Sequence, residues 1–180
     1  MRFLLFLLTS FLLASCTLPG TQSEATQNTT LYEGKTFSIS VPKTWSGAAE
    51  TTLPTPKKGT IELAYVSPDT KYGFSNNLVI MSNTLESIVT SKKYSELNQI
   101  QTSKNYLEYT KTTDRDITFS DEETSRVYIF EARYNESSPR MKFVQTARVC
   151  GTTVYLLHFS LSLDKDPTLY VPLLQTFVCK

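Results

Sequence analysis

The chain has 180 residues, a formal net charge of +1 and only 19% charged residues. Its few basic pairs, Lys57-Lys58 and Lys92-Lys93, are diluted by neutral and acidic neighbours. Nucleic acid is therefore not an expected partner. After removal of a leader and a tether, about 150 residues remain, which is a common size for one domain with an ordinary hydrophobic core.

Residues 1–15 have the features of a secretory signal peptide. Arg2 supplies a positive start, and an apolar run follows that is too short to span a bilayer. The run ends in the sequence LASC, whose last residue is Cys16, and this resembles the lipobox of bacterial lipoproteins. We therefore expect lipidation of Cys16, which would anchor the protein to a membrane of the bacterial cell envelope with its domain outside the cytoplasm.

The number of cysteines supports lipidation over the alternative of an ordinary secreted protein. The chain has three cysteines, and an odd thiol in an oxidising compartment invites intermolecular pairing. Lipidation of Cys16 removes that difficulty. It leaves Cys150 and Cys179 as a candidate disulfide.

Residues 16–30 are predicted to form the lipidated cysteine and a flexible tether. From residue 17 onward this segment is small and polar, with one leucine and no aromatic residue, so it cannot bury enough surface to order itself. Residues 31–180 are predicted to form a single globular domain.

Three strands are predicted before the first helix. Residues 37–41 and 61–66 alternate apolar and polar side chains, which is typical of half-buried strands, and Pro42 ends the first by removing a backbone donor. Residues 78–81 are a short apolar run of strand length.

A helix is predicted over residues 91–104, which contain no Gly or Pro, with Thr90 as its N-cap. Tyr94, Leu97 and Ile100 recur at three-residue spacing and are expected to face a sheet. The residues expected to face water are Lys92, Glu96, Asn98 and Gln99.

The second half is richer in strands. Residues 106–112 and 117–119 predict one long or broken strand, and residues 127–134 and 141–149 predict a hairpin. Residues 154–163 alternate, and a short helix is predicted over residues 167–175. The fold class is thus α+β, an antiparallel β-sheet with helices packed on its faces. The side chains expected on the core side of the alternating strand are Tyr155, Leu157, Phe159, Leu161 and Leu163.

Three segments resemble the PsbP-like domains, named for an extrinsic lumenal protein of photosystem II. They are the opening TFSISVPKTW, the run NLVI followed by TSKKYSEL, and the ending VYLLHFSLSLDKDPTLYVPLLQTF. The resemblance covers residues 32–177 and rests on a Phe-x-Ile-x-x-Pro-x-x-Trp entrance and an aromatic closing segment. It implies a sheet sandwiched by helices, an accessory role and no catalytic residues. This sequence departs from the pattern in Cys150 and Cys179, and in a loop, residues 114–123, without the usual Gly at the next hairpin.

The single histidine, His158, is the only candidate base for a nucleophilic triad. It stands in mid-strand, where a structural role is favoured. A hydrolase would require a cleft that contains His158 together with Ser160 or an acidic partner.

No cofactor is expected. One histidine and two distant cysteines do not make a zinc site, and no Gly-rich phosphate loop occurs. The densest acidic stretch includes Arg115 and lacks an EF-hand glycine, so a solvated turn is favoured over a calcium site. The acidic residues of that stretch are Asp114, Asp116, Asp121, Glu122 and Glu123.

Two functional hypotheses remain. The favoured one is a membrane-anchored, non-catalytic binding or accessory module that recognises an envelope protein or a small ligand through exposed aromatic residues, such as Tyr72 beside Gly73 and Phe74. The alternative is an envelope hydrolase with an unrecognised active site.

Overall fold

The computed structural model describes residues 28–49, 56, 58–71 and 73–180. The predicted signal peptide, Cys16, almost all of the predicted tether, and Tyr72 lie outside these residues. Within the described ranges, no helix is both long enough and apolar enough to cross a membrane.

The described part of the chain contains ten strands, one long helix and a short helical segment near its end. The strands are β1 (Thr29–Glu33), β2 (Phe37–Pro42), β3 (Ser46–Gly47), β4 (Thr60–Lys71), β5 (Phe74–Thr84), β6 (Leu107–Thr118), β7 (Thr124–Arg133), β8 (Arg140–Cys150), β9 (Thr153–Leu161) and β10 (Val178–Cys179). The helices are α1 (Ser91–Asn105), a 3₁₀ turn (Pro167–Tyr170) and α2 (Val171–Gln175).

Seven strands form one antiparallel sheet in the order β3-β4-β5-β9-β8-β7-β6. A smaller sheet, β1-β2-β10, places β2 between the first and last described strands. Its strand β1 starts two residues before the predicted domain boundary. The predicted α+β class is confirmed, because helices pack on both faces of the large sheet. The small sheet packs on the same face as the C-terminal helical segment.

The main core lies between the two sheets and the C-terminal helical segment. Ile39, Leu157 and Phe159 are fully buried in it. The ring of Trp45 meets that of Phe159 edge-on, with ring centroids 5.8 Å apart. The ring centroid of Tyr170 lies 6.2 Å from that of Trp45. The tryptophan of the entrance motif therefore packs against the closing segment.

The opposite face of the large sheet carries α1, and the helix packs differently from the prediction. Its limits agree within one residue, and the Thr90 hydroxyl caps it by accepting from Lys93 N. However, Leu97 and Ile100 are 46% and 51% exposed, so the prediction that they face the sheet is wrong. The prediction that Gln99 faces water is wrong too. The buried residues of α1 are Ser91, Ser95, Gln99 and Thr102.

The polar underside of α1 has a physical cause in the sheet beneath it. Strands β7 and β8 are paired only as far as Tyr128 and Gln145, and beyond that point their backbones part. Buried backbone groups without a ladder partner must find another partner. Hydroxyl groups supply it, which accounts for serine and threonine where a leucine would be expected.

Four hydrogen bonds that involve hydroxyl groups, three donated and one accepted by them, replace the missing ladder bonds. The Arg126 carbonyl accepts from Ser95 Oγ at 2.6 Å and from Thr146 Oγ1 at 2.9 Å. Ser125 Oγ donates to the Ala147 carbonyl at 2.8 Å. The Val149 amide donates to the hydroxyl of Ser91, the first residue of α1, at 2.9 Å.

Strand β9 keeps the predicted facing except at its end. Tyr155, Leu157, Phe159 and Leu161 belong to the main core, whereas Leu163 is 46% exposed. The strand stops at Leu161 because the next backbone amide, that of Ser162, donates to the side chain of Asn76 at 2.7 Å. The predicted core position of Leu163 is therefore wrong.

Candidate functional site

Cys150 and Cys179 form a disulfide, as predicted, with their Cα atoms 5.9 Å apart. It joins the end of β8 to β10, and β10 in turn pairs with β2. The Lys180 amide donates to the Thr36 carbonyl at 3.0 Å. The last residues are thus held against the start of the domain.

His158 lies on the α1 side of the sheet, in contact with aromatic rings. The ring centroids of Phe143 and Tyr106 are 5.1 and 6.4 Å from that of the imidazole. Thr102 Oγ1 donates to Gln145 Oε1 at 3.1 Å, and the Gln145 amide nitrogen lies 3.3 Å from His158 Nδ1. With the amide in this orientation, Nδ1 accepts a hydrogen bond and the imidazole is neutral.

The surroundings of His158 oppose its protonation. Burial lowers its pKa to about 4. Ser160 is on the same face of β9, two residues along and about 7 Å away between Cα atoms. Among the described residues, no hydrogen bond joins His158 to Ser160, and none joins the imidazole to a carboxylate. The structure therefore does not bring together the base and nucleophile that a hydrolase would need.

The acidic stretch forms ion pairs with neighbouring cations. Asp114 binds Lys111 at 2.9 Å and also Arg126, and hydrogen bonds from these two side chains lower the pKa of its carboxyl. Asp116 binds Lys92 at 2.7 Å, and this hydrogen bond lowers the pKa of Asp116. Across the described ranges, no group of three or more His, Cys, Asp and Glu side chains could hold a metal ion.

The remaining residues of the stretch lie near Arg148. Asp121 accepts from Arg148 at 2.6 Å, and the carboxylate of Glu123 is 3.9 Å from the same guanidinium. Glu122 is exposed, with its backbone in the left-handed region at a φ of 66°. The stretch is a charged turn and strand on the surface.

Two adjoining clefts lie at the end of the large sheet where β4 and β9 finish and β5 and β8 begin. They have volumes of about 440 and 330 Å³. They share three lining residues, so we treat them as one groove and name it the hairpin groove. Its lining residues are Pro68, Asp69, Thr70, Lys71, Phe74, Asn76, Pro139, Arg140, Met141, Ser162, Leu163, Asp164 and Lys165.

A set of short hydrogen bonds fixes the loop on one side of the hairpin groove. Asp164 accepts from Lys71 Nζ at 2.5 Å and from the hydroxyl of Ser162 at 2.6 Å. These two hydrogen bonds, that of Lys71 first, lower the pKa of Asp164 to about 2. Arg140, on the other side, pairs with Glu131 at 3.2 Å. The groove therefore has fixed charged edges, an apolar first cleft and a mainly polar second cleft.

Sequence reasoning found one part of this groove and missed the rest. It singled out the Tyr72-Gly73-Phe74 segment, and Phe74 lines both clefts. Gly73 has a φ of 76°, a conformation that favours glycine and turns β4 into β5. The other lining residues come from segments far apart in the chain, and no local pattern marks them.

Comparison with solved structures supports this fold. No family model matches the sequence, and no curated protein matches it either. Among solved structures, cyanobacterial PsbP (CyanoP) from Synechocystis sp. PCC 6803 is similar with a TM-score of 0.59 at 10% identity, covering 93% of this chain and 99% of that one.

Two further structures have the same fold. A protein of unknown function from Pseudomonas aeruginosa gives a TM-score of 0.54 at 13% identity, covering 85% of this chain and 98% of that one. A point variant of the protein Mog1 gives a TM-score of 0.50 at 11% identity, covering 81% of this chain and 83% of that one. The chain therefore has a PsbP-like fold, as the sequence resemblance implied.

Proposed function

We propose that this protein is a non-catalytic binding module of the bacterial cell envelope, anchored to a membrane by a lipid on Cys16. The observation that carries the proposal is the contrast between its two candidate sites. His158 is neutral, packed on aromatic rings and bonded to an amide, whereas the hairpin groove is an open concave surface with fixed charged edges.

The state of His158 argues for binding over catalysis. A general base works best when its pKa lies near the operating pH, and a pKa of about 4 makes His158 a weak proton acceptor at neutral pH. Neither cleft of the hairpin groove is lined by His158. A partner bound in the groove would therefore not meet this imidazole.

The size and lining of the hairpin groove suit recognition of an envelope protein or a small ligand. Ligand sites occupy about 300–1,000 Å³ and combine apolar walls with a few placed polar groups. A tether between Cys16 and the domain would keep the groove near the membrane and raise its effective concentration toward membrane-bound partners. The PsbP-like fold is compatible with such a role.

Replacing Cys16 by Ser tests the anchor. The variant should leave the membrane fraction and lose incorporation of a lipid label, while wild type retains both. A Cys150→Ser, Cys179→Ser variant is the matched control, since it removes cysteines without touching the lipobox. A Cys16→Ser protein that stays membrane-bound and labelled would show that the anchor is wrong.

Co-purification and turnover assays test the binding role. The anchored chain should retain a specific envelope partner and show no activity against ester, peptide, glycoside and phosphate substrates. Hydrolysis that disappears in a folded His158→Ala variant would reverse the proposal in favour of a hydrolase.

A further inference from the structure

Building on the proposed binding function, we propose that the hairpin groove captures the carboxyl-terminal end of a partner polypeptide. The last apolar side chain would pack beside Phe74, and the terminal carboxylate would bind between Asn76 and Lys165.

The first cleft supplies the apolar half of this site. Phe74 lines a concave apolar surface together with Pro139, Met141 and Leu163. Leu163 lies beyond the end of β9 and is 46% exposed, although it belongs to an otherwise alternating apolar series. An apolar side chain placed here would cover Leu163 and take surface of both molecules out of water.

The second cleft supplies a hydrogen-bond donor at a fixed position. Asn76 is only 6% exposed, and its Oδ1 is already occupied by the amide of Ser162. No residue in the described part of the chain accepts from Asn76 Nδ2, which belongs to a side chain lining the cleft. A donor held in this way by its own carbonyl oxygen is preorganised for an acceptor brought by a ligand.

The same cleft supplies positive charge. Lys165 lines it, and no carboxylate of a described residue lies within ion-pair distance of its ammonium group. The ammonium of Lys142 donates to the Lys165 carbonyl at 3.0 Å and so helps to hold the backbone that carries Lys165. Lys71, by contrast, is paired with Asp164. A carboxylate would complement Lys165 and accept from Asn76 in a charge-assisted hydrogen bond.

The polar edge favours a peptide over a fatty acid of the same charge. Asp69 lies on this edge, and its carboxylate is exposed. A peptide brings backbone N–H groups that can donate to Asp69, whereas an alkyl chain would leave that charge beside hydrocarbon.

Titration of the purified full-length chain with short peptides ending in leucine or phenylalanine tests this inference. The free-acid peptide should bind at least tenfold more tightly than the same peptide with an amidated end. Decanoate serves as the fatty-acid probe. Equal binding of the acid and the amide, no binding of either, or tighter binding of decanoate would each overturn the proposal.

Three substitutions locate the site. Asn76→Asp keeps the oxygen that accepts from Ser162 and turns the donor into an acceptor, so it should weaken free-acid binding at least tenfold. Lys165→Gln and Leu163→Asn should each weaken it several-fold. Lys93→Gln and Leu97→Asn on α1 are matched controls, since Leu97 has the same 46% exposure as Leu163. Groove variants that bind like these controls would contradict the assignment.

The outcomes also separate this inference from the broader binding role. If the groove variants keep the co-purified envelope partner and the free-acid peptide does not bind, the groove assignment fails while the binding role stands. If no partner is retained and turnover depends on His158, the binding role itself fails.

Discussion

The rings of Phe37 and Phe177 stack with centroids 5.0 Å apart and an interplanar angle of 17°. This contact joins the second strand of the domain to the second residue after the end of α2, across almost the whole described chain. Tyr155 completes the group, with its centroid 5.3 Å from each of the two rings.

Alanine at either phenylalanine should be strongly destabilising, because both side chains are fully buried. We expect each single substitution to cost about 3–5 kcal/mol of unfolding free energy. The double variant should cost less than the sum, by about 0.5–1.5 kcal/mol, since the rings interact directly. Urea unfolding of the four proteins measures this, and strict additivity would contradict a direct contact between the rings.

Loss of the disulfide should destabilise the domain without abolishing its core. The bridge closes a loop with a sequence separation of 29. Constraint of the unfolded chain is then worth about 3–4 kcal/mol in the entropic model. Comparing urea unfolding of the oxidised protein with that of the Cys150→Ala, Cys179→Ala variant gives the value. Peptide mapping that finds both thiols free in protein from its native envelope would refute the bridge.

The inverted packing of α1 predicts opposite results for two substitutions. Leu97→Asn should change the unfolding free energy by less than about 0.5 kcal/mol, because the side chain already contacts water. Thr102→Val should cost about 1–3 kcal/mol, since it leaves Gln145 Oε1 buried without its donor. If Leu97→Asn destabilised the protein more than Thr102→Val, Leu97 would face the sheet, as the sequence predicted.

Acidification should destabilise the protein through His158. Its pKa of about 4 in the folded protein lies below the ordinary value of 6.5. Between these two pH values, His158 is therefore protonated in the unfolded chain and neutral in the folded one. The stabilisation is therefore complete above pH 6.5 and is lost as the pH falls toward 4. The loss amounts to about 3 kcal/mol.

The matched control for this titration is His158→Gln, which removes the ionisable ring and keeps a polar side chain. The stability of wild type should fall between pH 6.5 and 4 relative to this variant. Asp164 contributes separately, since its carboxyl has a lowered pKa of about 2 and loses stabilisation only as the pH falls from 3.8 through that value. Parallel pH profiles for the two proteins would show that His158 titrates normally.

The sequence predicted the elements whose causes are local. Thr90 caps α1 through a bond to a residue three positions on, and Asp166 begins the 3₁₀ turn by accepting from Thr168 N at 2.9 Å. Alternation placed Leu157 and Phe159 correctly because β9 packs one face against the main core. The disulfide was predicted by counting cysteines.

Features that depend on distant segments could not be predicted in this way. The buried polar face of α1 follows from the parting of β7 and β8, which no pattern within the helix reveals. The short strands β1 and β10 pair with β2, so neither has a signal of its own. The hairpin groove likewise unites Lys71, Arg140 and Asp164, which a single sequence cannot show to be neighbours.

The polar underside of α1 also determines how this helix responds to temperature. Heat capacity rises on unfolding mainly when apolar surface meets water. Lifting α1 would expose Ser95, Gln99 and Thr102, while Leu97 and Ile100 are already in contact with solvent. The side chains of α1 itself therefore contribute little to the curvature of stability with temperature, which arises mainly from buried apolar side chains of the sheet, such as Phe130 and Phe143 on its α1 side.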